Sequence, residues 1–161
     1  MLVMIYVAAI TCANLSVAAF GPWISPVNSF LLIGLDLSLR DRLHDQWRGR
    51  GLWPRMLGMI ALAGGISYAL NPASGSIALA SVVAFCAAAV VDAAIYNWLR
   101  HRPFLARSNA SNTAGAAVDS ALFPAVAFGA WLPGIVLLQF FAKAAGGSLW
   151  AWLISKRRAP T

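Results

Sequence analysis

The run IALASVVAFCAAAVVDAAIYNWL, residues 77–99, decides the fold of this chain. It contains one charged side chain, Asp92, and is otherwise rich in Ala, Val and aromatic residues. About 20 consecutive, mostly apolar residues are enough for a helix to cross the hydrocarbon core of a bilayer. The run therefore predicts a transmembrane helix.

The rest of the chain is similarly apolar. Of its 161 residues, 60% are hydrophobic and only 11% are charged, a balance that a water-soluble fold could not bury. The predicted fold class is all-α, an integral membrane bundle of six transmembrane helices. These helices form one transmembrane domain, residues 1–161, and are expected at about 2–20, 23–39, 56–70, 77–99, 113–131 and 132–154.

The basic residues predict how the bundle is oriented. Eleven of the twelve Lys and Arg residues lie in three clusters, at 40–55, 100–107 and 156–158. With six helices all three clusters fall on one side, so we expect a multi-pass protein of the bacterial inner membrane with both termini cytoplasmic. The net charge of +7 then sets the orientation of the protein in the lipid bilayer, and it does not require a nucleic-acid partner to explain it. The segment from Asp41 to Arg55 is predicted to be a basic loop in which His44 is solvated.

Five charged residues occur inside the apolar runs or at their ends: Asp36, Arg40, Asp92, Asp119 and Lys143. A charge at mid-membrane costs about 2.5 to 3.5 kcal/mol on insertion scales, so we expect these side chains to share a site. Structural alternatives stay open. Asp36 and Arg40 have the spacing of a local salt bridge, and the other three could form an internal ion pair that fixes helix packing.

Polar neighbours at helical spacing extend this set. Asn112 lies seven residues before Asp119, and Gln139 lies four residues before Lys143, so each pair shares a helix face. Asn14 adds an amide from the first helix. Carboxylates, amides, an amine and aromatic faces together suit a planar, uncharged, nitrogen-rich ring better than an inorganic ion. An Asp that acts as a proton carrier is the alternative.

Motifs for catalysis, nucleotides and metals are missing from the sequence. There is no GxSxG, HExxH or P-loop, and Cys12 and Cys86 lack the spacing of a metal or redox site. We therefore predict a protein that is not an enzyme and that uses no cofactor and no metal.

Four parts of the chain together carry a family resemblance: FLLIGLDLSLR at 30–40, Asp92 with Tyr96, SNASNTAGAAVDS at 108–120, and Lys143. In this order they resemble the queuosine-precursor transporter family, also called the vitamin uptake transporter family. The resemblance implies a six-helix inner-membrane importer of a purine-like small molecule, a 7-deazaguanine base such as 7-cyano-7-deazaguanine. By resemblance the substrate-binding residues are Asp36, Arg40, Asp92, Asn112, Asp119 and Lys143. Asn14, which also fits the resemblance, and Gln139, which shares a helix face with Lys143, complete the predicted set.

Two other classes of protein stay open. A substrate-binding subunit of an energy-coupling-factor importer would also have six helices, and it would dock to its partner through small residues of helix one such as Ala9, Ala13 and Ala18. A purely structural membrane protein would bind no ligand. The sequence leaves undecided which deazaguanine is carried, whether protons or ions are coupled, and whether the protein is a monomer or a homodimer.

Overall fold

The computed structural model describes residues 1–156, and this part of the chain is helical without a β-strand. Within it, six helices follow one another, one for each predicted apolar run, and the predicted all-α fold is confirmed. We label them as follows: α1 is Leu2–Phe20, α2 is 22–47, α3 is Leu52–Leu70, α4 is Gly75–Trp98, α5 is Phe104–Phe128 and α6 is Pro133–Lys156.

Helix α2 changes its winding along its length. It begins with a 3₁₀ turn, Pro22–Ile24, and an α-helical turn, Ser25–Asn28, passes through a π-helical segment, Ser29–Ile33, and continues as an α-helix over Gly34–Trp47. A π-helical segment shifts the backbone hydrogen-bond register by one residue and is frequent at functional sites. The irregular part of α2 is therefore a place to look for function.

The ends of α2, α3 and α5 differ from the prediction. The expected loop after Asp41 is helical as far as Trp47, and Asp41 and His44 are buried rather than solvated. Helix α3 begins at Leu52 instead of near 56, and α5 begins at Phe104 instead of near 113. For α2 and α5 the cause is that hydropathy places polar residues outside the membrane, whereas many of these side chains face the bundle interior.

Short turns join consecutive helices, so neighbours in the sequence run antiparallel. At Gly129 the backbone has φ 62°, a left-handed conformation that glycine adopts without steric cost. The turns 48–51 and 99–103 lie at the same end of the bundle as Met1 and Lys156. We call this the basic end, because it carries Arg48, Arg50, Arg55, Arg100, Arg102 and Lys156. Arg157 and Arg158, the rest of the predicted C-terminal cluster, lie outside the described residues.

Two buried apolar clusters hold the bundle together. The larger one contains side chains from α1, α2, α3 and α4, among them the fully buried Tyr6, Ile10 and Leu43. The smaller one lies toward the opposite end and joins α1, α4 and α5 through side chains such as Ala84 and Phe123. Both clusters run through α1 and α4, which therefore form the apolar centre of the fold.

The outer surface of the bundle is also apolar. Leu79 and Phe141, for example, are 60% and 64% exposed, as expected for side chains that face lipid instead of water. Among the described residues, three helices are long and apolar enough to cross a membrane: Leu2–Phe20, Pro72–Trp98 and Pro133–Lys156. Helices α2 and α5, which are not among them, carry most of the buried polar side chains.

The crossing of α2 and α6 brings two backbones into direct contact. A Cβ atom added at Gly146 would lie 2.1 Å from the carbonyl oxygen of Phe30, and one added at Gly34 would lie 2.6 Å from the backbone of Gly146. Glycine at both positions is therefore a steric requirement, as at other close helix contacts in membranes. Next to the crossing, the Trp150 indole nitrogen donates to the carbonyl oxygen of Leu31 at 3.0 Å, within the π-helical segment.

Candidate functional site

A polar cavity lies in the bundle between its middle and the turns around Gly21 and Asn71. Its volume is about 30 Å³, in a measure in which one water molecule needs about 10 to 15 Å³. In this conformation the cavity is therefore large enough for only a few water molecules. Its apolar wall includes the rings of Phe85 and Phe123, and its polar lining comprises Asn14, Ser25, Asn28, Ser29, Ser81, Asp119, Gln139 and Lys143.

Lys143 is the centre of the hydrogen bonds in this cavity. Its ammonium nitrogen lies 2.7 Å from Asp119 Oδ2, 2.9 Å from Gln139 Oε1 and 3.1 Å from Ser120 Oγ. The Gln139 amide in turn donates to Ser25 Oγ at 2.9 Å. This chain of contacts joins α5, α6 and α2, and both charged groups are at least 96% buried.

Two amide side chains form the opposite wall. Asn14 donates to Ser67 Oγ at 3.1 Å and accepts from Ser81 Oγ at 2.5 Å, so it connects α1 with α3 and α4. Asn28 donates to Ser16 Oγ at 2.6 Å, which connects α2 with α1. The cavity is thus bounded by hydrogen-bonded side chains whose positions are fixed from several helices.

A second group of charges lies between the cavity and the basic end. We call it the inner cluster, and it consists of Asp36, Arg40, Asp41 and Asp92, all at most 1% exposed. Arg40 Nη2 lies 2.8 Å from Asp36 Oδ2, so the local salt bridge that the spacing allowed is present. Asp41 accepts hydrogen bonds from Ser108 and, at 3.4 Å, from Ser111. Asp92 lies beside Gly115, whose added Cβ would be 3.4 Å from the Asp92 Cβ.

Arg40 connects the inner cluster with the cavity. It is attracted electrostatically by Asp92 and by Asp119 as well as by Asp36. Its guanidinium carbon is 5.9 Å from the centre of the Phe85 ring, which also lines the cavity. A change of charge in one group is therefore felt in the other.

The eight predicted binding residues fall into these two neighbouring groups. Asn14, Asp119, Gln139 and Lys143 line the cavity, whereas Asp36, Arg40 and Asp92 belong to the inner cluster. Asn112 is buried beside the inner cluster, where its amide donates to Ser108 Oγ at 3.3 Å. The common faces expected on α5 and α6 are present, since Asn112, Asp119, Gln139 and Lys143 are all buried.

Sequence reasoning missed Asp41, which it assigned to a loop. A signal for its burial is present in the spacing, because Asp41 follows Leu37 by four residues and precedes His44 by three. These positions share one helix face, and all three side chains are buried. The helix could therefore have been extended through Asp41 by periodicity, although the hydropathy falls there.

Several buried polar atoms in and beside these two groups have no hydrogen-bond partner among the described residues: the Oδ1 atoms of Asp36, Asp92, Asn112 and Asp119, and Nε and Nη1 of Arg40. Unpartnered buried polar atoms are rare in proteins and each one requires an explanation. In the cavity the relevant atom is Asp119 Oδ1, which is free to accept a hydrogen bond from a donor other than Lys143. Within residues 1–156 no group of three or more His, Cys, Asp or Glu side chains is placed to hold a metal ion.

Comparison with known proteins assigns the family. The model of the family described as "Putative vitamin uptake transporter" matches residues 59–155, which is more than half of the chain and covers α4, α5, nearly all of α6 and the larger part of α3. Neither the curated proteins nor the solved structures give a match. With its apolar helices and a polar interior, the protein is a membrane protein, and the chain belongs to the vitamin uptake transporter family.

Proposed function

We propose that this protein imports a 7-deazaguanine base, such as 7-cyano-7-deazaguanine, across the bacterial inner membrane. The family match supports a transport function. The observation that carries the choice of substrate is the cavity wall of Asp119, Lys143 and Gln139, in which one carboxylate oxygen remains without a partner.

The chemistry of this wall suits the edge of a guanine-like base. Such an edge presents a ring N–H and an exocyclic amine, both donors, next to a carbonyl oxygen that accepts. Asp119 Oδ1 is a free acceptor for a donor on this edge, and Lys143 and the Gln139 amide supply donors for its carbonyl. Phe85 and Phe123 line the same cavity and offer apolar faces for a planar ring.

The proposal includes six membrane spans with both termini in the cytoplasm. The shortest helices, α1 and α3, have 19 residues each, which at about 1.5 Å per residue nearly matches a hydrocarbon core of about 30 Å. The Arg and Lys side chains of the basic end would then face the cytoplasm, in agreement with the positive-inside rule.

Transport requires that the cavity open. At about 30 Å³ the space is large enough for water but not for a bicyclic ring, so this conformation is closed to the substrate. A base would enter after the helices around Lys143 have moved apart, and Lys143 would exchange part of its contact with Asp119, Gln139 and Ser120 for the substrate.

One observation argues against the energy-coupling-factor alternative. Docking of such a subunit would use small residues of helix one, namely Ala9, Ala13 and Ala18. Ala9 and Ala13 are 5% and 6% exposed and face the bundle interior, and Ala18 is half-buried. Uptake by the purified protein alone in proteoliposomes would exclude that alternative, whereas a requirement for ATPase subunits would establish it.

The first test is thermal stabilisation of the detergent-purified protein by 7-cyano-7-deazaguanine, its aminomethyl analogue and guanine. A ligand that binds only the folded state raises the melting temperature, by an amount that grows with its concentration over Kd. We expect a shift with at least one deazaguanine, lost in Asp119→Asn. Asp45→Asn is the matched control, because Asp45 lies at the basic end, outside the cavity, and is paired with Arg107 at 2.8 Å.

Asp119→Asn leaves the Lys143 charge buried, so a second variant guards against simple misfolding. Asp119→Asn combined with Lys143→Gln removes both charges, so that no unpaired charge remains buried at this ion pair. A normal ligand shift in this double variant would contradict the assigned site. The absence of any shift with all three bases in the wild-type protein would contradict the substrate class.

A further inference from the structure

The buried charges of the bundle do not balance. Among the described residues, four carboxylates are at most 3% exposed, and only two cationic side chains of Lys or Arg are buried to the same degree. Arg40 forms an ion pair with Asp36, and Lys143 forms one with Asp119. Each of the two cations thus has an ion pair with one carboxylate, and the other two buried carboxylates, Asp41 and Asp92, form no ion pair among the described residues.

These two carboxylates are also neighbours. Asp41 on α2 and Asp92 on α4 are close enough for their charges to repel, and Ser111 of α5 interacts with both. Within the part of the chain that the structure describes, Asp41 receives hydrogen bonds only from the hydroxyls of Ser108 and Ser111. Asp92 Oδ1 is buried and accepts no hydrogen bond from any described residue. A proton bound to one of the two carboxylates would satisfy it.

Among residues 1–156 no further cation is paired with these two carboxylates. The charged or titratable groups that face it from its own and the adjacent helices are Arg40, His44 and Asp45 on α2, Tyr96 on α4, and Arg107 on α5. Arg40 is 2.8 Å from Asp36, and Arg107 is 2.8 Å from Asp45, while the hydroxyl of Tyr96 donates to Asp45 at 2.9 Å. Arg40 and Arg107 are thus each paired with another carboxylate, and Arg40 in addition attracts both Asp41 and Asp92 from a distance.

Two adjacent carboxylates in a medium of low polarity cannot both stay ionised, because desolvation and mutual repulsion both favour uptake of a proton. We propose that Asp41 and Asp92 share one exchangeable proton and that this proton is the ion co-transported with the substrate. The inference rests on the proposed transport function and adds its source of energy. A neutral base that enters together with one proton carries one net positive charge inward.

The position of the pair suits such coupling. Arg40 is attracted by Asp92 on one side and by Asp119 of the cavity on the other. Ionisation of Asp92 therefore strengthens its attraction to Arg40 and changes the electrostatic potential at Asp119, the carboxylate that we propose binds the substrate. Because the pair lies between the cavity and the basic end, the proton leaves on the side on which we place the cytoplasm.

The coupling test uses proteoliposomes and radiolabelled 7-cyano-7-deazaguanine. An inward proton gradient should drive accumulation by the wild-type protein, and an inside-negative potential should increase it. In Asp41→Asn, accumulation driven by the gradient should fall at least tenfold relative to exchange of internal for external substrate. Asp45→Asn is again the control, and it should retain gradient-driven accumulation. Accumulation in Asp41→Asn equal to the wild-type value, or a wild-type protein driven by sodium alone, would overturn the proposal.

A second measurement does not depend on the substrate. Infrared spectra of the reconstituted protein, recorded across a pH titration, should contain the C=O stretch of a protonated carboxyl that is lost in Asp41→Asn/Asp92→Asn and kept in Asp45→Asn. If the wild-type protein transports no deazaguanine but retains this band, the substrate assignment fails and the proton site stands. If the band is missing from the wild-type protein at every pH, the proton site fails.

Discussion

The contact between α2 and α6 makes the sharpest prediction for stability, through Gly146→Ala. The new Cβ would meet the Phe30 carbonyl oxygen at 2.1 Å and the Phe30 carbonyl carbon at 2.8 Å. Both atoms belong to the backbone, so no side-chain rotation can relieve the clash and the two helices must move apart. Overpacking typically costs about 1 to 3 kcal/mol, and we expect the upper value, about 3 kcal/mol, because the obstacle is rigid.

The substitution also brings a gain, which has to be subtracted. Alanine in place of glycine within a helix contributes about 1 kcal/mol through helix propensity, which leaves a net loss of about 2 kcal/mol. For a chain of 161 residues, each kcal/mol shifts the melting temperature by roughly 2 to 4 °C. Gly146→Ala should therefore melt about 4 to 8 °C below the wild-type protein in a thermal scan in detergent.

Two other glycines provide matched controls. At Gly147, the next residue of the same helix, an added Cβ would lie 3.5 Å from Asn112 Nδ2, an ordinary contact, so Gly147→Ala should keep the helix-propensity gain and should not lower the melting temperature. At Gly58 nothing lies within 4 Å, so Gly58→Ala should raise the melting temperature. Equal stability of Gly146→Ala and Gly147→Ala would refute the close backbone contact between α2 and α6.

Two further predictions concern single contacts. Asp119→Asn should lower the free energy of unfolding by about 3 to 5 kcal/mol because it strands a buried ammonium group, and Asp119→Asn/Lys143→Gln should recover at least half of that loss. Additive losses in this double-mutant cycle, measured by detergent denaturation, would show that the two groups do not interact. Trp150→Phe removes the hydrogen bond to the Leu31 carbonyl and should cost about 1 kcal/mol, whereas an unchanged melting curve would mean that the π-helical segment does not depend on it.

The sequence predicts the number of helices correctly because the helices with the longest apolar runs, such as α4, face lipid on one side and small buried residues on the other. It fails where a helix turns a polar face inward. For this reason the sequence predicts the start of α5 too late, near 113 instead of Phe104, and the end of α2 too early, near 39 instead of Trp47. Hydropathy sums over all faces of a segment and cannot distinguish a solvated polar residue from one that contacts another helix.

The candidate site was predictable in composition but not in arrangement. Helical spacing correctly placed Asn112 and Asp119 on one buried face, and likewise Gln139 and Lys143. The choice of ion-pair partner for each cation depends on the arrangement of α2, α4, α5 and α6 around one another. A single sequence does not reveal this arrangement. Arg40 pairs within its own helix, whereas Lys143 pairs across helices.

The placement of acidic residues argues that the interior is built for function. The chain has five Asp and Glu residues in total, and four of them are at most 3% exposed inside the bundle. Asp45, the fifth, is 28% exposed and contacts Arg107 at the basic end. Buried ion pairs contribute little net stability compared with apolar residues of the same size, so stability alone does not account for them. Such residues inside a membrane protein are typically retained where a substrate or proton has to bind. In our proposal the substrate binds at Asp119, and the proton binds at the Asp41–Asp92 pair.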